Sequence, residues 1–380
     1  MEKIFISALA IKKVRHLRDI SIPLSENGIK HLILTGKNGS GKTSVVEALA
    51  DYLNKIFTGE RETAFRNCQK ELSIVLNSKI SSIPEQASKN HFILAYYKAD
   101  RVFQAEQPKH VEKVELKDYY ELTESPRNEF VKYLLDLKMT EALARSKNKI
   151  EKANEIQTWF AKMEQLLKQI FDDESVELDF NEDTFEFRLT QSGKEPFDFN
   201  TLSRGYQAVL DIVLDIIMRM QHQTQRSFAF HLPGIVIIDE IDAHLHLELQ
   251  KCILPFLTTF FPNIQFIVTS HSPFILGSIE NAAIYDLENK ILVERGLNNV
   301  PYDGIVEGYF RADKLSDLLR QKFLKYSCLV KKRELSEDEL SEIAELELYL
   351  DEIPDYLAIG IATEYRKMKL EFMNREDING

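Results

Sequence analysis

Gly36-Lys37-Asn38-Gly39-Ser40-Gly41-Lys42-Thr43 is the stretch on which the fold turns. It fits the pattern GxxxxGK[ST], and three of the chain's 14 glycines fall within its first six positions. Glycine admits conformations that turn successive backbone N–H groups toward one point. Such a loop cradles phosphate oxygens, and a helix N-terminus behind it adds amides and a favourable dipole. Residues 31–35, His-Leu-Ile-Leu-Thr, read as a short buried strand, and after the loop Val45, Leu49, Tyr52, Leu53 and Ile56 share one face of a helix. Strand, glycine loop and helix in this order make a phosphate-binding unit. Within it, Lys42 reaches the β- and γ-phosphates and the Thr43 hydroxyl is offered to Mg²⁺. The binding candidates here are Gly36, Lys37, Asn38, Gly39, Ser40, Gly41, Lys42, Thr43 and Ser44.

The rest of the composition sets bounds on this unit. At 380 residues, two structural units or one large core with insertions is expected, and 44% apolar residues suffice for a substantial core. A formal net charge of −12 weighs against a protein that coats nucleic acid, which needs clustered cations, although a local basic groove remains compatible with it. No apolar run reaches the roughly 18 residues of a membrane span, since the most apolar helical stretch, 209–220, is broken by Asp211 and Asp215. The opening Met1-Glu2-Lys3-Ile4 does not read as a signal peptide. Three scattered cysteines, Cys68, Cys252 and Cys328, fit reduced thiols, so a cytoplasmic protein is expected.

Three further segments carry chemistry. Ile235-Val236-Ile237-Ile238-Asp239-Glu240 is an apolar strand ending in two acids; Asp239 suits Mg²⁺ and Glu240 the polarisation of an attacking water. Leu202-Ser203-Arg204-Gly205-Tyr206-Gln207 opens an apolar helix, where Ser203 and Gly205 offer a hydroxyl and bare amides to an anion. Taken alone, Ser203 reads as a helix N-cap, and only its place among the other segments favours the anion. Thr269-Ser270-His271-Ser272-Pro273 follows the strand 264–268, and His271 at that strand end suits a terminal phosphate. His244 and His246 lack a third and fourth ligand at metal-site spacing.

Other strands are expected at 4–11, 20–24 and 92–97. Alternation over 176–189, with apolar residues at Val176, Leu178 and Phe180 and again at Phe185, Phe187 and Leu189, predicts a hairpin turning at Asn181-Glu182-Asp183. Helical spacing over 129–137 and 156–171 predicts an antiparallel pair, a lid or stub of about 30 Å. Beyond residue 305 a second helical region is expected, with apolar spacing at Leu315, Leu318, Leu319 and Phe323.

The order of these segments resembles the ABC-type ATPases, and the GxNGSGKT loop and Ser-His-Ser-Pro ending resemble their SMC, RecF and OLD branch. The resemblance covers about residues 1–100 and 176–290. It implies an α/β fold: an ABC-type P-loop head with a mixed sheet over 1–100 and 176–300, a helical insert over 101–175 and a C-terminal helical region over 301–380. It also implies ATP and Mg²⁺, and two heads sandwiching two nucleotides. Ser203, Gly205 and Gln207 of one copy would then face the γ-phosphate bound by Lys42 of the other, with Lys42, Glu240 and His271 catalytic and Thr43 and Asp239 on the metal. Arg101 and Gln104 are rival candidates for the nucleotide-sensing loop. The insert lacks a CxxC zinc hook, and no DxD nuclease cluster follows His271. The chain thus looks like a switch whose effector is a separate protein. The tail, 313–372, resembles those of ATPases from bacterial antiphage systems such as Septu, whose ATPase works with a separate HNH nuclease; the plainer reading is that it completes the head's core. The expectation is an ATP-hydrolysing homodimer that controls an effector, a nuclease or toxin, in antiphage defence. The alternatives are a RecF-like ATPase clamping DNA and a scaffold that binds ATP without turnover.

Overall fold

Strand β3 (His31–Thr35) is buried at every residue and lies inside a six-stranded sheet, with parallel neighbours on both sides. The computed structural model describes residues 3–58, 68–77, 92–101, 103–108, 110–306, 317–351 and 359–375. They form two compact units, Met1–Tyr302 and Asp303–Gly380.

In the first unit, β1 (Ile6–Val14) pairs antiparallel with β2 (Leu17–Pro23) on one side and with β4 (Leu72–Leu76) on the other. The main sheet adds β5 (Ile93–Tyr97), β8 (Gly234–Ile238), β9 (Ile264–Thr269), β10 (Ala282–Asp286) and β11 (Ile291–Val293), in the order β11-β10-β3-β9-β8-β5. Its strands are parallel except β11, which pairs antiparallel at one edge, so the sheet is mixed as expected. Unbroken apolar runs such as Ile235-Val236-Ile237-Ile238 belong to strands covered on both faces. The register aligns Asp286 with Thr35, Leu34 with Thr269, Val268 with Ile238, and Ile238 with Tyr97. Five strands therefore end at one edge, and their following loops share it. In open parallel sheets ligands bind at that carboxyl edge.

Helix α1 (Lys42–Thr58) turns Val45, Val46, Leu49, Tyr52, Leu53 and Ile56 inward, and these join β1, β2 and β4 in one apolar cluster with the main sheet. The insert helices are longer than their periodicity suggests: α2 runs Phe130–Ser146 and α3 runs Ile150–Phe171. They pack on α4 (Arg204–Met220): Gln221, just past its end, accepts from the Tyr133 hydroxyl at 2.7 Å and the Trp159 indole at 3.2 Å. The hairpin is present as β6 (Glu177–Asn181) and β7 (Glu186–Thr190), and the Asn181 side chain closes its turn by accepting the amides of Asp183 and Thr184. Phe185 departs from the expected alternation. It adopts a positive φ of 58° in the turn and is exposed, so the inward face resumes only at Phe187.

The second unit contains α6 (Asp317–Leu329), α7 (Glu337–Asp351) and α8 (Ile359–Met373). Tyr326, Leu329, Val330, Ile343, Leu346, Leu350 and Tyr365 form a core of their own. Leu319 and Phe323 pack against this cluster, Leu318 is exposed, and Leu315 lies outside the described residues. Among the described residues no helix is long and apolar enough to cross a membrane.

Candidate functional site

The glycine loop leaves β3 and enters α1 with Gly36, Gly39 and Gly41 at φ of +132°, +83° and +98°. L-residues rarely adopt such angles, which explains why a scarce residue is concentrated here. Side-chain space is also closed at Gly36, where a Cβ would lie 2.8 Å from the Ser40 Oγ. Lys42 folds back over the loop, its ammonium donating to the carbonyls of Gly36 at 2.8 Å and Lys37 at 3.2 Å. Burial lowers its pKa, and the carboxylates of Glu240, Asp239, Asp242 and Asp286 oppose that fall. Thr43 is exposed and Ser44 half-buried in the first turn of α1, while Lys37 pairs at 2.9 Å with Glu288, in the loop after β10.

Asp239 and Glu240 leave β8 at the same edge. Asp239 is buried, and its Oδ1 accepts from the Thr269 hydroxyl at 2.6 Å. The same hydroxyl accepts the Glu240 amide at 2.7 Å, and the Ile241 amide donates to the Thr269 carbonyl at 3.0 Å. Glu240 itself is half-buried with φ at +47°. Thr269, the last residue of β9, thus fixes both acids, a role that sequence reasoning missed; the available signal was a hydroxyl ending the strand beside the acidic one.

His271 sits in the same field. Its pKa is lowered by burial and then by Lys42, against the pull of Asp242 and Glu240. The flanking serines face inward: the Ser270 hydroxyl accepts the Ser272 amide at 2.9 Å, and the Ser272 hydroxyl donates to Gln250 at 2.7 Å. His271 Nε2, Asp242 Oδ1, Ser40 Oγ and Thr35 Oγ1 are buried without a partner among the described residues. Unpaired buried polar atoms are costly, so a cluster of them at a loop shaped for phosphates fits a polar ligand.

The signature segment, Leu202–Gln207, is built differently from the N-cap reading. Ser203 occupies the N-cap position of α4, yet its exposed hydroxyl accepts no helix amide. Gly205 is buried beneath the loop after β8, where a Cβ would lie 3.1 Å from the His244 carbonyl. The Gln207 side chain is turned inward and donates to the Asn200 carbonyl at 2.9 Å, which holds the preceding loop. His246 occupies the N-cap position of α5 (Leu247–Phe260). Of the two sensing candidates, Gln104 is exposed and Arg101 is buried, with its guanidinium on the carbonyls of Asp239, Glu240 and Ile241. Lys42, Asp239, Glu240 and His271 are therefore brought together, and Ser203 lies at the head of α4.

Three comparisons bear on this site. The chain is 28% identical to the Septu protein PtuA of Bacillus mycoides (strain KBAB4), over 94% of this chain and 51% of that protein, which bears out the resemblance to the Septu ATPases. It is 36% identical to the "Retron Ec83 probable ATPase" of Escherichia coli over 32% of this chain and 24% of that one. The chain thus spans about half the length of the first relative and a quarter of the second. Among solved structures, an SmcHead bound to the C-winged helix domain of ScpA superposes with a TM-score of 0.38 at 16% identity, over 74% of this chain and 93% of that one. The family model described as "AAA domain, putative AbiEii toxin, Type IV TA system" matches residues 32–277, which hold the glycine loop, the signature helix, the acidic turn and His271, and the chain belongs to that family.

Proposed function

We propose that the chain binds ATP with Mg²⁺, hydrolyses it, and uses the cycle to control a separate effector, a nuclease or toxin, in antiphage defence. The carrying observation is the convergence of Lys42, Asp239, Glu240 and His271 on the glycine loop at the carboxyl edge of the parallel sheet. The donor set suits Mg²⁺, which prefers a few hard oxygens and keeps phosphate and water as its other ligands. Thr43 and Asp239 would hold the ion, which supplies charge neutralisation at the phosphates.

The chain's own groups do the rest. The loop amides bind the phosphates, and Lys42 exchanges the carbonyls of Gly36 and Lys37 for phosphate oxygens. Glu240 orients the attacking water and accepts its proton, while His271 offers its unpartnered Nε2 to the terminal phosphate. Ser203, exposed and free of capping duty, is suited to a nucleotide held by a second copy, so ATP-dependent dimerisation follows from this reading.

The names of the Septu and retron relatives support the defence setting. The test is capture of the Glu240→Gln protein from its native host with ATP and Mg²⁺. A stoichiometric nuclease or toxin supports effector control, and nuclease-sensitive DNA without a protein contradicts it. One observation favours that second outcome: Lys13, Arg15, His16 and Arg18 are exposed around the β1–β2 turn, whose Leu17 and His16 lie beside Gly41. A DNA clamp working through them would show DNA-stimulated turnover with a steep salt dependence.

A further inference from the structure

The acidic turn bends its carbonyls onto one buried cation. Arg101 is 5% exposed, and its two terminal nitrogens donate to four carbonyl oxygens: Lys98 at 3.0 Å and Asp239 at 2.9 Å from Nη1, Glu240 at 2.9 Å and Ile241 at 3.2 Å from Nη2. Three consecutive carbonyls can face one point only if the chain leaves the extended conformation of β8. Glu240 does so, at a φ of +47° that a side-chain-bearing residue seldom adopts. On the opposite side of the turn, Thr269 holds the Glu240 and Ile241 amides at 2.7 and 3.0 Å. The left-handed residue is therefore gripped by its amide from β9 and by its carbonyl from the segment after β5. A lysine at 101 would present one nitrogen in place of a planar fork and could not span the three carbonyls.

We infer that Arg101 is a positioning residue for Glu240: it imposes the left-handed turn that aims the Glu240 carboxylate, and it does so through backbone carbonyls without touching nucleotide. This deepens the hydrolysis reading and rests on it for its catalytic meaning, while the structural claim stands on the turn itself. Burial lowers the Arg101 pKa, and Asp211 leads the charges that oppose the fall, followed by Asp242, Asp239 and Glu240. The charge is thus retained in the interior by the acids around it.

The deciding measurement is hydrogen exchange on the nucleotide-free full chain, comparing wild type with Arg101→Lys and Arg101→Ala. The Glu240 and Ile241 amides should exchange at least about tenfold faster in both variants, with β8 and β9 protected as in wild type. Unchanged exchange at those two amides overturns the inference, and so does equal loosening of the whole sheet, which would make Arg101 a general structural residue. If Arg101→Ala does not fold, Arg101→Lys still decides. In steady-state ATP turnover, the lysine variant should lose at least about tenfold in kcat with KM within about threefold. In a Glu240→Gln background it should lose little more, because both changes act on one group. A wild-type protein without turnover would contradict the hydrolysis reading, and the exchange result would still decide the role of Arg101.

Discussion

The Thr269 hydroxyl donates to the Asp239 carboxylate at 2.6 Å while accepting the Glu240 amide at 2.7 Å, so one fully buried oxygen fixes two consecutive acids. Thr269→Val keeps the shape and removes both bonds, leaving a carboxylate oxygen and an amide unpaired. The expected loss is about 1–3 kcal/mol of unfolding free energy, with Thr269→Ser near wild type. Urea denaturation of the three proteins checks it; a valine variant as stable as the serine one would contradict the dual role.

Glycine conformation in the phosphate loop gives a second test. Gly41 combines a φ of +98° with a Cβ position 2.9 Å from the Leu17 Cδ1, whereas Gly28 has open space and no positive φ. Gly41→Ala should weaken ATP binding at least about tenfold through strain on the order of 1–3 kcal/mol, and Gly28→Ala should bind as wild type. Calorimetric titration with ATP separates the two.

A third concerns the charges inside α4. Asp215 is fully buried; it accepts from the Arg219 Nε at 2.6 Å and the Tyr97 hydroxyl at 2.8 Å, and also pairs with Arg127 at 3.2 Å. Arg219 in turn reaches the carbonyls of Tyr120, Glu121 and Glu124, tying the segment before α2 to the signature helix. Asp215→Leu should cost about 3–5 kcal/mol, since it leaves the buried Arg219 without its carboxylate, while Arg127 keeps Asp211. The double variant Asp215→Leu/Arg219→Met should recover part of that loss in chemical denaturation.

Acid sensitivity follows from His31, which opens β3. Its Nδ1 accepts the Phe266 amide at 3.1 Å, and burial lowers its pKa from 6.5 to about 4. Because the folded value lies below the unfolded one, the unfolded chain takes the proton first. This contribution is intact above pH 6.5 and is lost as pH falls from 6.5 to about 4, a decline of order 3 kcal/mol. His31→Asn, whose side-chain oxygen can accept the same amide, should flatten the stability curve across that interval.

The site's chain segments were legible in the sequence because their chemistry is local. Glycines at 36, 39 and 41, and acids ending the run 235–238, announce themselves at fixed spacing. Strand β4 is hard to read because Ser73 interrupts its apolar run and Val75 is exposed, and β10 because Ala282–Asp286 mixes small residues with an acid. The full length of α2 was hidden because residues 138–146 bury only Ala144 and carry no apolar face to mark the helix. Arg101 and Gln104 could not be separated because the distinction lies in backbone carbonyls 138 to 140 residues away. Ser203 likewise needed the structure, since a capping serine and an uncommitted one have the same sequence.

Phosphate release at saturating ATP and Mg²⁺, measured for wild type and Glu240→Gln alongside ATP affinity, decides whether Glu240 is catalytic. The expected result is steady turnover by wild type, a fall of at least about a hundredfold in the variant, and ATP bound equally well by both. Equal turnover in the two proteins, or wild-type protein that binds ATP and never releases phosphate, would contradict catalysis at Glu240.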